Sequence, residues 1–219
     1  MEMIEIKDAS IAYGNEVLFT GLSFGVKKGG MGCITGESGT GKSSLLNAVM
    51  GFVPLKQGRI TVDGIDVSPT AIDRVRSRIA WVPQELALPS EWVKEMIAIP
   101  FELKQNQRRC RLDDKDCPLK ERLMQAFASL GLDAELYDKR VSEISGGQRQ
   151  RIMLAVASLL GKEVIVTDEP TSALDPASVD RVIRFFHQLQ LKGITILTVS
   201  HDQRFIAACD TIITLKKQS

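Results

Sequence analysis

Gly36, Glu37, Ser38, Gly39, Thr40, Gly41, Lys42 and Ser43 have the composition and spacing of a phosphate-binding loop. Three glycines let the backbone curl until its N–H groups face one anion. The helix expected to follow aims its positive end at the same anion. There Lys42 would reach β- and γ-phosphates, the Ser43 hydroxyl would bind Mg²⁺, and Ser44 completes the nucleotide contacts. Such a loop defines a nucleotide and leaves the reaction open.

Two further elements narrow the chemistry. Residues 164–167 read as an apolar strand that ends in Asp168 and Glu169. Carboxylates at the carboxyl edge of a sheet lie beside a phosphate loop on that edge. Asp168 is expected to hold Mg²⁺ through water, and Glu169 to polarise the attacking water as general base. Thr167 stands where an apolar residue would be usual, and its hydroxyl needs a partner if buried. Upstream, Ser145, Gly146, Gly147 and Gln148 open a helix. Hydroxyl, free N–H groups and helix dipole converge there on a second anion site. One ATP needs one phosphate loop, so a second γ-phosphate site fits the nucleotide of another subunit. Taken alone, the run is equally an ordinary serine N-cap.

These residues need strands that deliver them to one edge. Residues 2–7 alternate as a strand, 17–26 as another, and 32–35 run straight into the glycine loop. Helical spacing follows over 43–50, stopped by Gly51. Asp63-Gly64 between two short apolar runs signals a hairpin, and 79–83 is strand-like. From about 90 to 141 only helix-like stretches remain, at 91–99 and 119–130. The segment 104–118 between them is basic until Asp113, Asp114 and Asp116 reverse the sign. It reads as a solvated loop, or as a patch for lipid headgroups. Then come helix 147–160, strand 163–167, helix 176–191 with Pro176 in its first turn, strand 194–199, a short helix 203–208 and strand 211–215. Apolar strands alternating with helices imply a parallel sheet covered on both faces.

The 219 residues suit one large or two small domains, and 44% hydrophobic content is enough to bury a core. A net charge of +1 gives no bias toward nucleic acid or a membrane surface. The acidic, alternating start Met1-Glu2-Met3-Ile4-Glu5 is unlike a signal peptide. The longest apolar run, 152–160, is about half a membrane span. A cytoplasmic location is expected, and any membrane role needs a partner. Cys33, Cys110, Cys117 and Cys209 lack metal-ligand spacing and are expected to be reduced thiols.

In motif order the chain resembles the ATP-binding cassette subunit of an ABC transporter, over essentially its whole length. Ser145 to Gln148, continued by Arg149, Gln150 and Arg151, is similar to that family's signature. Ile144 stands where leucine is more usual, and Ser158 where relatives often carry arginine. The resemblance implies that Gln84 senses Mg²⁺ and the attacking water and reports to a membrane subunit. It implies that Ser172, Ala173, Leu174 and Asp175 form a loop crossing a dimer interface. His201 would contact the γ-phosphate, and Tyr13 would stack on adenine. The implied fold is α/β: a RecA-like P-loop NTPase core at 1–84 and 151–219, an N-terminal antiparallel β layer, and an α-helical subdomain inserted at about 85–150. The implied activity is ATP hydrolysis with Mg²⁺ in a head-to-tail homodimer. The implied partner is an integral membrane permease on the inner face of the cell membrane, with no nucleic acid. Because the chain stops soon after His201, it is more similar to compact, exporter-like subunits than to importer ATPases with a regulatory extension. A soluble ATPase of iron–sulfur cluster assembly is a second reading. A DNA-repair ATPase is a third, disfavoured because no sustained heptads are present.

Overall fold

The computed structural model describes residues 1–14, 16–84, 89–107 and 119–217, with Tyr13 and Gln107 described by backbone alone. Part of the charged segment, 108–118, lies outside the described residues together with Cys110 and Cys117.

Strands β1 (Glu2–Tyr13) and β2 (Glu16–Lys27) pair antiparallel. They join β4 (Gln57–Val62) and β5 (Ile65–Asp66) in a sheet of order β2-β1-β4-β5. Strand β3 (Met31–Gly36) belongs to a second, parallel sheet with β6 (Ile79–Val82), β7 (Val164–Asp168), β8 (Thr195–Val199) and β9 (Thr211–Leu215). Its order is β6-β7-β8-β3-β9. Because it is parallel, the carboxyl ends of β3, β6, β7 and β8 fall on one edge. Every residue of β7 and β8 is buried, which is why these strands are runs of Val, Ile, Leu and Thr rather than alternations.

Helices cover both faces. Helix α1 (Lys42–Val49) packs Leu45 and Leu46 with Ile34 and Val166 on the face shared with the antiparallel sheet. The opposite face carries α3 (Val93–Glu102), α5 (Leu119–Ser129), α6 (Gly146–Leu159) and α7 (Pro176–Leu191). Helix α7 buries Val179, Val182, Phe186 and Leu189, a stripe at helical spacing. Phe186 meets Phe205 of α8 (Gln203–Ala207) edge to face, centroids 5.7 Å apart. Burying each such ring contributes about 1.5–3 kcal/mol.

Three local differences from the sequence reading have physical causes. Strand β1 continues to Tyr13 because a bulge, not an end, interrupts the alternation. Asp8 has φ +49°, and the register with β2 shifts between Ile6 and Ala9. Helix α3 passes through Pro100, whose carbonyl accepts a hydrogen bond from Asn106 Nδ2 at 2.6 Å. Asn106 lies in a short turn of helix, α4 (Lys104–Gln107), where a loop was expected. Helix α2 (Ile72–Arg76), five residues long, is too short to show a period.

Candidate active site

The glycine loop joins β3 to α1. Gly36 has φ +144°, and a Cβ there would fall 2.3 Å from the Leu215 carbonyl oxygen, so no other residue fits. Gly41 is the left-handed N-cap of α1, and a Cβ there would fall 3.0 Å from the Leu18 side chain. Thr40 Oγ1 donates to the Glu37 carbonyl at 2.9 Å and braces the curve. Lys42 Nζ donates to the carbonyls of Gly36 and Glu37 at 2.9 and 2.8 Å, which places its charge at the mouth of the loop.

Beside it, β7 ends in the acidic pair. Asp168 is buried, and its Oδ1 has no protein partner among the described residues. Burial pushes its carboxyl above the ordinary range, while a hydrogen bond from Ser43 and the charges of Lys42 and His201 oppose the shift. A buried, unpartnered carboxylate oxygen near a serine hydroxyl is a donor set that fits Mg²⁺, a hard cation that prefers oxygen and few protein ligands. Thr167 Oγ1 is also fully buried, and among the described residues it has no hydrogen-bond partner.

Glu169 follows in a left-handed turn with φ +48°. Its N–H donates to Val199 at 3.0 Å, and its Oε1 lies 3.1 Å from Nε2 of His201, just past β8. Burial raises the Glu169 carboxyl, His201 opposes, and the Asp168 charge adds to the rise. Ser38, Gly39, Gly41, Lys42, Ser43, Ser44, Gln84, Asp168, Glu169 and His201 all line one open cleft of about 910 Å³. Gln84, at the end of β6, is exposed on its wall.

The second glycine element lies elsewhere. Ser145 caps α6: its hydroxyl accepts from Gln148 N–H at 3.1 Å, and Gln148 Oε1 accepts from Ser145 N–H at 2.8 Å. This reciprocal box serves the chain's own helix. Ser145 and Gly146 are exposed, and neither lines the cleft. A Cβ at Gly147 would meet the Ala173 carbonyl at 2.8 Å, so α6 packs tightly on the turn before α7. Asp175 caps α7 through Ser178, accepting from its N–H at 3.0 Å and its hydroxyl at 2.6 Å, and these bonds hold its carboxyl below the usual range. Tyr13 ends β1; its side chain is outside those described.

Ser172, read as part of the interface loop, also lines the cleft, and sequence reading missed Leu18, Thr171 and Asp202 there. They follow or face the motif residues, but no local pattern marks them.

A glycine loop, an acidic pair, a glutamine and a histidine gathered at the edge of a parallel sheet define a P-loop nucleotide hydrolase. The sequence profile of the ABC transporter family matches residues 19–172, and the chain belongs to that family as an ATP-binding, ATP-hydrolysing subunit. It is similar to the glutamate/aspartate import ATP-binding protein GltL of Escherichia coli (strain K12), 36% identical over 93% of this chain and 82% of the relative. The methionine import ATP-binding protein MetN of Carboxydothermus hydrogenoformans is 34% identical over 96% of this chain and 62% of its own length. The dimeric structure of MJ0796, a bacterial ABC transporter cassette, matches with TM-score 0.83 at 25% identity, covering 98% of this chain and 94% of that one.

Proposed function

We propose that two copies of this chain close head to tail around ATP and drive a separate integral membrane permease. The observation that carries the dimer is the separation of the two anion-binding elements. The cleft holds the phosphate loop and the acidic pair, while Ser145 and Gly146 at the exposed N-terminus of α6 do not line it. That N-terminus is available to the nucleotide of a partner copy. A loop at 172–175 packed on Gly147 would carry the contact across the interface.

Within each site the residues have separable roles. Backbone N–H groups of the loop and the Lys42 ammonium bind the phosphates. Ser43 and Asp168 would hold Mg²⁺, with Gln84 on the wall of the same cleft to sense it, and the ion would supply charge neutralisation at the γ-phosphate. Glu169 accepts the proton of the attacking water, and a carboxylate raised by burial is a better acceptor. His201 holds that carboxylate and meets the γ-phosphate. Tyr13, at the end of β1, stacks on adenine. The helical subdomain at about 85–150 passes the motion to the permease. ATP closes the pair and loss of the γ-phosphate opens it.

Among the described residues no helix is long and apolar enough to cross a membrane, which fits a peripheral subunit on the cytoplasmic face. The expectation of an exporter rested on where the chain stops. The import functions of GltL and MetN support import instead, although the macrolide export protein MacB of Mannheimia succiniciproducens is also 32% identical over 99% of this chain. The test is purification of the tagged chain from detergent-solubilised membranes. Co-purification of a polytopic protein supports the reading and its family gives the direction. Recovery of soluble scaffold proteins alone would favour cluster assembly.

A further inference from the structure

Gln150 lies in the first turns of α6, two residues past the capping Gln148, so its side chain leaves the helix on a different face. It is 4% exposed, and its Nε2 donates to the Glu169 carbonyl at 2.8 Å. A side-chain amide this deeply buried needs a partner, and here the partner is the backbone of the residue read as general base.

The Glu169 peptide is one that needs holding. A φ of +48° is rare for a residue with a side chain and persists only where its surroundings fix it. On one side its N–H is bound to Val199 of β8 at 3.0 Å. On the other its carbonyl accepts three donors: Gln150 Nε2, Ser172 N–H at 3.2 Å and Ser172 Oγ at 3.1 Å. Ser172 is three residues away in the same turn. Gln150 belongs to another element, α6, which Ser145 caps.

We infer that Gln150 is a positioning residue for ATP hydrolysis, holding the Glu169 peptide in the left-handed turn that presents its carboxylate to the attacking water. This rests on Glu169 being the general base. The bond also makes the orientation of the base depend on where α6 sits. Nucleotide binding is made by the loop between β3 and α1, which Gln150 does not touch. Loss of the donor therefore lowers the chemical step and leaves binding in place.

The test is Gln150→Met in the full chain, which keeps length and bulk and removes the donor. Steady-state ATPase, nucleotide titration and Tm are measured beside Glu169→Gln. The expected result is a kcat about tenfold lower, a KM for ATP within about twofold of wild type, and near-complete loss of turnover in E169Q. Should Q150M unfold below the assay temperature, the isosteric Gln150→Glu, which replaces the donor by an acceptor, is expected to lower kcat at least as far. Turnover of Q150M within twofold of wild type, with E169Q inactive, overturns the role of Gln150 alone. A kcat that falls only in step with the folded fraction overturns it too. Wild-type turnover in E169Q sinks the general-base reading, and the inference with it.

Discussion

Nε2 of His201 lies 3.1 Å from Oε1 of Glu169, with the histidine side chain 55% exposed and the glutamate 12%. A solvent-accessible imidazole thus sits on a sheltered carboxylate. Burial, the largest influence, raises the proton affinity of Glu169; His201 lowers it, and Asp168 raises it again. A base works only when unprotonated, so turnover should fall on acidification at a higher pH than an ordinary glutamate would give.

His201→Ala removes the opposing influence and lets the Glu169 pKa rise further. The acid limb of the kcat–pH profile should therefore move to higher pH, and kcat at the optimum should fall by about ten- to a hundredfold. The check is the full profile of both proteins. A limb that stays in place would mean that the histidine does not act on this carboxylate.

Asp168 has the opposite sign for stability. Its folded pKa is raised by burial, so the folded chain binds this proton more tightly than the unfolded chain does. The stability linked to it is fully present below the unfolded value and is lost as pH rises through the raised folded value. At neutral pH the charged carboxylate strains the fold in the service of the site. Asp168→Asn should raise Tm in neutral buffer, by a margin that shrinks in acid, while ATPase activity falls at least about tenfold. Thermal scans in both buffers decide it, and a Tm lowered at neutral pH would contradict it.

The glycines of the phosphate loop should not be equivalent. At Gly36 a Cβ would fall 2.3 Å from a backbone oxygen of β9, which cannot swing aside. Gly36→Ala should cost roughly 2–5 kcal/mol and abolish nucleotide binding. At Gly39 nothing lies within 4 Å, and φ is +82°. Gly39→Ala should carry backbone strain alone, about 1–2 kcal/mol. Tm and nucleotide titration would rank the two, and equal losses would show that sterics at Leu215 are not the reason for Gly36.

Much of this site was legible because phosphate chemistry fixes residue types at fixed spacings. Gly36 to Ser43 and the Asp168-Glu169 pair could be read without a structure, since glycine at the loop curves and acid at a strand end each have one physical reason. Helix α7 was read to the residue with Pro176 in its first turn, and the structure adds the Asp175 N-cap and the buried stripe Val179, Val182, Phe186 and Leu189. What lay hidden depended on contacts between distant segments. The bulge at Asp8 broke the period of β1 without ending its pairing with β2. Gln150 stood in plain view within a motif, but its bond to Glu169 exists only once α6 packs on the end of β7. Ser145 showed the converse: its sequence suggested a ligand site, and within one chain it caps its own helix.

That dual use allows a test of the head-to-tail arrangement. Gly146 is exposed, begins α6, and has nothing within 4 Å of where its Cβ would lie. An aspartate there suits the positive helix end by about 0.3–1 kcal/mol, so Gly146→Asp should not lower Tm. If a partner's γ-phosphate docks on that end, the new carboxylate should repel it and reduce turnover by about a hundredfold. Lys42→Ala should inactivate through the phosphate loop instead. In a head-to-tail heterodimer of the two variants, one site carries both lesions and the other carries neither. Mixing two inactive proteins in equal amounts should then restore about a quarter of wild-type activity, since half of randomly formed pairs are mixed and each has one of two sites intact. Absence of any recovery would mean that Gly146 does not serve the nucleotide of the opposite chain.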